Sequence, residues 1–391
     1  MSTQQVACYD IVICGGGVAG LWVLNVLIKA GYNVLLVENE ALGGLQTIAS
    51  QGMIHGGQRY LLGSNTSTLA GSISALPQRW DSCLCGNGEI DLSQVQVLSD
   101  NQVMWPTGGS LSYFALGTAS YLIKAKTRKL NSWEVPEALA DLKCPVYELP
   151  EKVIDIASLV RVLSAPHETQ IITGEVESIS RDGCITISGI SLETQIVICA
   201  AGLGNERFLS QLHVEELSSQ RRPLRQLMVK TIDFPLYGHG ITTDYRPRIT
   251  ITSHPLPTGG YVWYLGGAIA DETLALTNDD AIEYAKREMK ILFGHLDWSG
   301  KEWSTWHGFR AEPYCENGRL PSGPVVQQYG NALVVWPSKL TLAPILGDQI
   351  ISLLIDKLIK PKYSGSDLYR QNSSTFPPLA PFPWSKTTWI S

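Results

Sequence analysis

Charge is scarce in this chain. Lys, Arg, Asp and Glu make up 17% of its 391 residues, against roughly 25% in average globular proteins, so much of the chain must be buried. The formal net charge is only −6, and basic residues gather nowhere except in the run Lys124-Ala125-Lys126-Thr127-Arg128-Lys129. A protein that binds a phosphate backbone needs a basic stripe. Nucleic acid is therefore excluded as a partner, and the run is read as a solvated face. No apolar stretch reaches the ~18 residues of a membrane span, and the first ten residues lack the basic-then-apolar order of a signal peptide. The cysteines, at 8, 14, 83, 85, 144, 184, 199 and 315, are too sparse for a disulfide framework; reduced thiols and a cytoplasmic location are expected. Cys83 and Cys85 form CxC, not CxxC, with no paired histidines, so no metal site is expected. The serine-hydrolase motif GxSxG does not occur. With 44% hydrophobic residues, a chain of this length should form two domains or three.

What is present begins at once. Tyr9-Asp10-Ile11-Val12-Ile13-Cys14 reads as a buried strand rich in β-branched residues. It runs into Gly15-Gly16-Gly17-Val18-Ala19-Gly20, which satisfies GxGxxG. An apolar helix over 21–30 follows, stopped by Gly31, and then a second strand over 33–37 ending at Glu38, with Asn39 beside it. Each part has a mechanical reason. Gly15 permits the tight turn, Gly17 lets backbone approach a pyrophosphate, and Gly20 lets helix pack closely on sheet. The helix start, at Val18 and Ala19, offers N–H donors and the positive end of its dipole. Glu38 stands where an acid accepts hydrogen bonds from ribose hydroxyls and disfavours a 2′-phosphate. The pattern is that of an α/β, Rossmann-like dinucleotide-binding unit, and NADP does not suit it.

The next stretch selects the dinucleotide. Gly43-Gly44-Leu45-Gln46-Thr47-Ile48-Ala49-Ser50-Gln51-Gly52-Met53-Ile54-His55-Gly56-Gly57-Gln58-Arg59-Tyr60 resembles the second FAD-binding stretch of the D-amino acid oxidase superfamily, whose members include glycine oxidase and sarcosine oxidase. Blocks in the same order resemble later parts of that family: Thr173-Gly174-Glu175-Val176, the apolar strand ending in Ala200-Ala201-Gly202, and Trp336-Pro337-Ser338-Lys339-Leu340-Thr341-Leu342 before Pro344. The resemblance spans about 8 to 360. It implies FAD as cofactor, with Thr47, Ser50, Gln51 and Gly52 along the pyrophosphate and ribityl chain and Val176 on the adenine side. It further implies that Ala200, Ala201, Gly202, Leu340, Thr341 and Leu342 close the flavin site. It also implies two domains, an FAD-binding domain from 1–75, 145–215 and 322–391 and an antiparallel-sheet substrate domain from 76–144 and 216–321. Local reading adds a helix over 153–163, a hairpin turn at Asp182-Gly183 and a helix over 279–293 capped near Thr277. The segment 361–391 is rich in proline and aromatics and should be extended, docked on its own chain or on a protein partner.

Three residues are candidates for chemistry. Gly308-Phe309-Arg310-Ala311, followed by Glu316-Asn317-Gly318-Arg319-Leu320-Pro321, resembles the family pattern whose arginine grips a substrate carboxylate. A planar, permanently charged fork suits that task, although Ala311 replaces the usual proline. The alternative is an ion pair of Arg310 with Glu312 or another acid. For His55, in a string like that of glycerol-3-phosphate dehydrogenases, three readings stay open: a hydrogen bond to flavin or backbone, a base toward an alcohol, or covalent flavin attachment. Lys339 can place a charge beside the flavin pyrimidine edge or lie on the surface. Tyr60, Trp105, His239, Tyr261, Trp263 and Tyr264 are either pocket-lining or core.

The favoured expectation is dehydrogenation of a small, carboxylate-bearing amine or amino acid at its C–N bond, with oxygen or another electron acceptor reoxidising the flavin. The rivals are oxidation of a 2-hydroxy acid or polyol with His55 as base, and a flavin-bearing partner protein with little turnover.

Overall fold

The computed structural model describes residues 8–56, 68–108, 127–215, 218–242, 247–315, 321, 323–363 and 375–391. Gly57 to Tyr60, Lys124 to Lys126 and Glu316 to Leu320, all named above, lie outside the described residues.

The first sheet is built on a strand that is apolar on both faces. In Cys8–Cys14, Ile11 and Ile13 enter one core while Val12 and Cys14 enter another, as a strand covered on both sides requires. It pairs in parallel with Ile190–Cys199 and Val34–Glu38. The parallel array extends to Ala332–Trp336 on one side and Ile171–Thr173 on the other. The hairpin Val176–Ile179 and Cys184–Ile187 is appended to it, turning at Gly183 with φ +95°. Helices Val18–Lys29, Ile156–Ser164 and Ala343–Asp356 cover one face. The first of these stops at Ala30, after which Gly31 takes φ +90°, a conformation that favours glycine.

One expected helix is shorter than its sequence suggests. Val153–Ile154 is a strand paired with Val97–Ser99, and the helix starts only after Asp155. The Asp155 carboxylate accepts the Ser158 N–H at 2.6 Å, and this cap fixes the start.

The second sheet runs in the order Glu302–Pro313, Ser219–Ile232, Tyr261–Gly266, Pro247–Pro255, Gly238–Ile241, Gln102–Pro106, Tyr147–Leu149 and Arg128–Lys129. It is antiparallel except between Gly238–Ile241 and Gln102–Pro106, which run parallel. That pair departs from the wholly antiparallel sheet expected. The two strands approach so closely that a Cβ on Gly238 would stand 2.0 Å from the Val103 carbonyl oxygen. Side chains alternate across this sheet, as the pleat demands. Leu227, Val229, Trp263 and Leu265 pack with helix Asn278–Leu292, which Thr277 caps by accepting the Asp280 N–H. Met228, Val262 and Tyr264 face the other way. Trp105 and Trp263 are thus core residues. The described part of the proline-rich segment lies on its own chain, Leu379 pairing with Leu42 and Ile390 with Trp303. No helix among the described residues is long and apolar enough to cross a membrane.

His254 sits on that second face, only 2% exposed, with the Trp384 ring 4.3 Å away and Nδ1 without a partner. Burial pushes its imidazole down to about 3. The unfolded chain therefore takes up the proton first as pH falls. The contribution of the neutral histidine is complete above about 6.5 and drains as pH falls toward 3, by about 1.4 kcal/mol per pH unit. We predict that His254→Gln flattens the dependence of unfolding free energy on pH between 6.5 and 4.5. An unchanged slope would assign acid sensitivity elsewhere.

Candidate functional site

Between the two sheets lies a cleft of about 920 Å³, near the upper end of the ~300–1,000 Å³ of ligand pockets. Its floor is the glycine turn. Gly15 has φ +113°, and a Cβ there would meet the Ala200 carbonyl oxygen at 2.7 Å. A Cβ on Gly20 would stand 2.0 Å from the Gly15 carbonyl oxygen. Helix Val18–Lys29 begins at Gly17 without a side-chain cap, although the Val18 N–H donates to Thr47 Oγ1 at 3.2 Å. An uncapped helix start directs N–H groups and a positive dipole end at an anion. The Glu38 carboxylate, at the end of its strand, accepts the Gly16 N–H at 2.6 Å and the Glu40 N–H at 3.1 Å, which holds it beside the turn.

The structure brings most of the sequence candidates to this cleft. Gly15, Gly17, Val18, Ala19, Glu38, Asn39, Thr47, Ser50, Gln51, Val176, Ala200, Ala201, Gly202, Arg310, Lys339 and Leu340 all line it. Gly20, Gly52, Thr341, Leu342 and His55 do not. Gly20 serves the turn from behind. Gly52, with φ +68°, has the Ile154 carbonyl oxygen 2.1 Å from where a Cβ would be. Thr341 gives its carbonyl to Trp80 Nε1, and Leu342 is buried in the core.

His55 is positioned within a short ladder. Ile54 N–H donates to the Lys152 carbonyl and Ile154 N–H to the Gly52 carbonyl, while the Gly56 N–H donates to Glu151 Oε1 at 2.9 Å. Burial pushes the Glu151 carboxyl up to about 7. The His55 imidazole is pushed down to about 3, first by burial and then by the charges of Lys339 and His239. His239 lies 3.0 Å from Thr250 Oγ1 and 3.0 Å from Gln102 Oε1. His55, His239 and Lys339 therefore share one electrostatic neighbourhood.

Arg310 lies on Glu302–Pro313, directly opposite Arg222 on Ser219–Ile232. Like charges facing each other across strands repel. Glu312, 1% exposed, meets Arg222 at 2.6 and 3.2 Å. The acid offered as an alternative partner for Arg310 is thus engaged by Arg222. Among the cleft residues that went unremarked as site residues in the sequence are Arg222, Gln226 and Trp306. Strand periodicity places 222, 224 and 226 on one face, and the register sets them opposite Arg310, Gly308 and Trp306. Ser50 Oγ, Gln226 Oε1 and Trp336 Nε1 are buried without hydrogen-bond partners and line the cleft. Buried polar atoms are normally satisfied, so these three fit a ligand carrying both donors and acceptors. No cluster of potential metal ligands occurs among the described residues.

Comparison with known proteins agrees with this geometry. A family model described as FAD dependent oxidoreductase, DAO, matches residues 10–353. A Pseudomonas aeruginosa protein named probable FAD-dependent oxidoreductase PA4991 is 37% identical over 366 residues, 91% of this chain and 93% of its own. Its crystal structure superposes with a TM-score of 0.84 over 98% of this chain and 99% of that one, at 34% identity. Glycine oxidase from Geobacillus kaustophilus (18% identity, TM-score 0.61, 93% and 97% covered) shares the fold. So does L-alpha-glycerophosphate oxidase from Mycoplasma pneumoniae with FAD bound (17%, 0.65, 89% and 95%).

The tight turn yields a test. In Gly20→Ala the new methyl cannot coexist with the Gly15 carbonyl, so the turn must open. We expect the variant to purify with little cofactor, read as the ratio of 450 nm to 280 nm absorbance. Wild-type loading would show that the turn tolerates the shift.

Proposed function

The chain belongs to the DAO family of FAD-dependent oxidoreductases, and we propose that it dehydrogenates a small, carboxylate-bearing amine or amino acid at its C–N bond. FAD is the cofactor; when bound it supplies the two-electron acceptor, which oxygen or another acceptor reoxidises. In this reading residues 15 to 20 hold the pyrophosphate and Glu38 the adenosine ribose. Val176 flanks the adenine, and the stretch around Ser50 and Gln51 follows the ribityl chain. The unpartnered Ser50 Oγ, Gln226 Oε1 and Trp336 Nε1 support this placement.

The observation that carries the substrate class is Arg310. It lines the same cleft as the cofactor stretch, on a strand of the sheet that faces that stretch. Its guanidinium binds the substrate carboxylate as a two-pronged fork and so orients the carbon that loses hydride. The substrate amine enters neutral, and loss of hydride from its carbon leaves an iminium ion. His55 supports this choice by its weakness as a base. An imidazole near 3 is poorly matched to removing a proton at neutral pH, whereas C–N oxidation of a neutral amine needs little acid–base help. Lys339 supplies positive charge to the same neighbourhood.

A second reading, oxidation of a 2-hydroxy acid or polyol with His55 as base, is favoured by the grouping of His55, His239 and Lys339. An anaerobic screen of flavin bleaching with amino acids, N-methyl amines, 2-hydroxy acids and polyols separates the two. On the favoured reading, with the amine confirmed as neutral, His55 contributes no inflection between pH 5 and 8 because it is already neutral there. An inflection that vanishes in His55→Gln would favour the hydroxyl reading.

Arg310→Ala should weaken apparent affinity for a carboxylate substrate by about 30-fold or more. Truncating one partner of a buried charge pair costs roughly 2–5 kcal/mol, and about 1.4 kcal/mol is tenfold. Arg310→Lys should recover only part of the loss, and FAD content should be unchanged in both. If Arg310→Ala handles carboxylate substrates as wild type does, the clamp is wrong.

A further inference from the structure

Part of the cleft is lined by a segment that lies beyond the family match, which ends at residue 353. Residues 375–391 begin with the Thr375 carbonyl accepting the Thr173 N–H at 2.8 Å, and three further anchors bear on the cleft. At the first, Leu42 N–H donates to the Pro378 carbonyl and Ala380 N–H to the Leu42 carbonyl, both at 2.9 Å. The Leu42 side chain itself occupies the space beside Gly16, where a Cβ would meet it at 2.5 Å. This anchor is therefore one side chain away from the glycine turn.

At the second, Phe382 and Trp384 stack at 4.4 Å with 11° between their planes, and Trp384 packs edge-on against Tyr264 at 5.4 Å. The Tyr264 hydroxyl donates to the Ala49 carbonyl at 3.0 Å, and the Tyr264 carbonyl accepts Gln51 Nε2 at 3.1 Å. At the third, Trp303 and Ile390 exchange backbone hydrogen bonds of 2.7 and 2.9 Å. Between the anchors Ala380, Pro381, Phe382, Pro383, Lys386 and Thr387 line the cleft.

We propose that residues 375–391 form a third wall of the FAD site, clamping the stretch 42–51 between the glycine turn and the second sheet, so that FAD escapes only when this segment lifts. The inference rests on the placement of FAD in this cleft. The first two anchors grip opposite ends of the stretch that follows the cofactor, and both act through residues that touch it. Prolines at 377, 378, 381 and 383 restrict the detached segment, so less conformational freedom is lost when it docks. A segment that loses little freedom on docking leaves more of the contact energy as affinity.

The test uses the full-length protein stripped of FAD and reloaded, with affinity and release rate read from the fluorescence of free FAD. Trp384→Ala removes the aromatic anchor, and Ala380→Pro removes the N–H that reaches Leu42. Deletion of 375–391 removes the whole wall, and Glu38→Ala reports the placement of FAD. Thermal unfolding of each apo-protein reports loss of fold separately. We expect FAD release at least about tenfold faster in Trp384→Ala and in the deletion, a smaller change in Ala380→Pro, and weaker FAD binding in Glu38→Ala. If the deletion does not fold, the two point variants decide. Wild-type release in both of them, with Glu38→Ala weakened, overturns the wall while leaving the placement intact. Wild-type binding in Glu38→Ala overturns the placement, and the wall with it.

Discussion

A carbonyl oxygen, that of Gly15, stands where residue 20 would carry a side chain. The rest of the site depends on this contact. It lets the chain leave the central strand and enter the helix within a few residues, and it leaves the helix start facing the cleft. From there each contact builds on the last. Thr47 reaches the Val18 N–H, Gly43 N–H reaches the Gly16 carbonyl, and the stretch beyond is laid along the open turn. A methyl group at position 20 would move every one of these partners.

The second sheet supplies chemistry through its pleat. One face of Ser219–Ile232 is committed to packing beneath a helix, and the other carries Arg222, Leu224, Gln226 and Met228 opposite Arg310, Gly308, Trp306 and Ser304. Two arginines on one rung form a costly arrangement in a largely apolar cleft. The buried carboxylate of Glu312 offsets the charge of Arg222. Positive charge also acts on His55, where Lys339 and His239 reinforce the effect of burial in keeping the imidazole neutral.

The cofactor half was legible in the sequence because backbone contacts need particular residues at particular spacings. Gly15, Gly17, Gly20 and Glu38 announce a turn and an acid whose geometry leaves little choice. Val153 and Ile154 misled because apolar β-branched residues suit a strand as well as a helix, and only the capping of Asp155 decided the boundary. Arg222 and Gln226 were hidden because a strand face is defined by register with a partner strand far along the chain, which spacing alone does not reveal. The parallel pairing of Gly238–Ile241 with Gln102–Pro106 was hidden for the same reason. Trp105 and Trp263 could line a pocket, but aromatic rings in a sheet are usually core, and packing against the helix Asn278–Leu292 places them there.

The bridge between Leu42 and Leu379 also has a meaning in time. A ribosome delivers residue 42 long before residue 379, and domains generally fold as units while synthesis proceeds. The glycine turn and its neighbouring strands are thus available to one another early. The partner of Leu42 is not made until nearly all of the second sheet has emerged. Until then Leu42 lacks the two backbone hydrogen bonds that it makes with Pro378 and Ala380. The contact between Leu42 and Leu379 therefore forms later than those within the glycine turn, however early that turn is made.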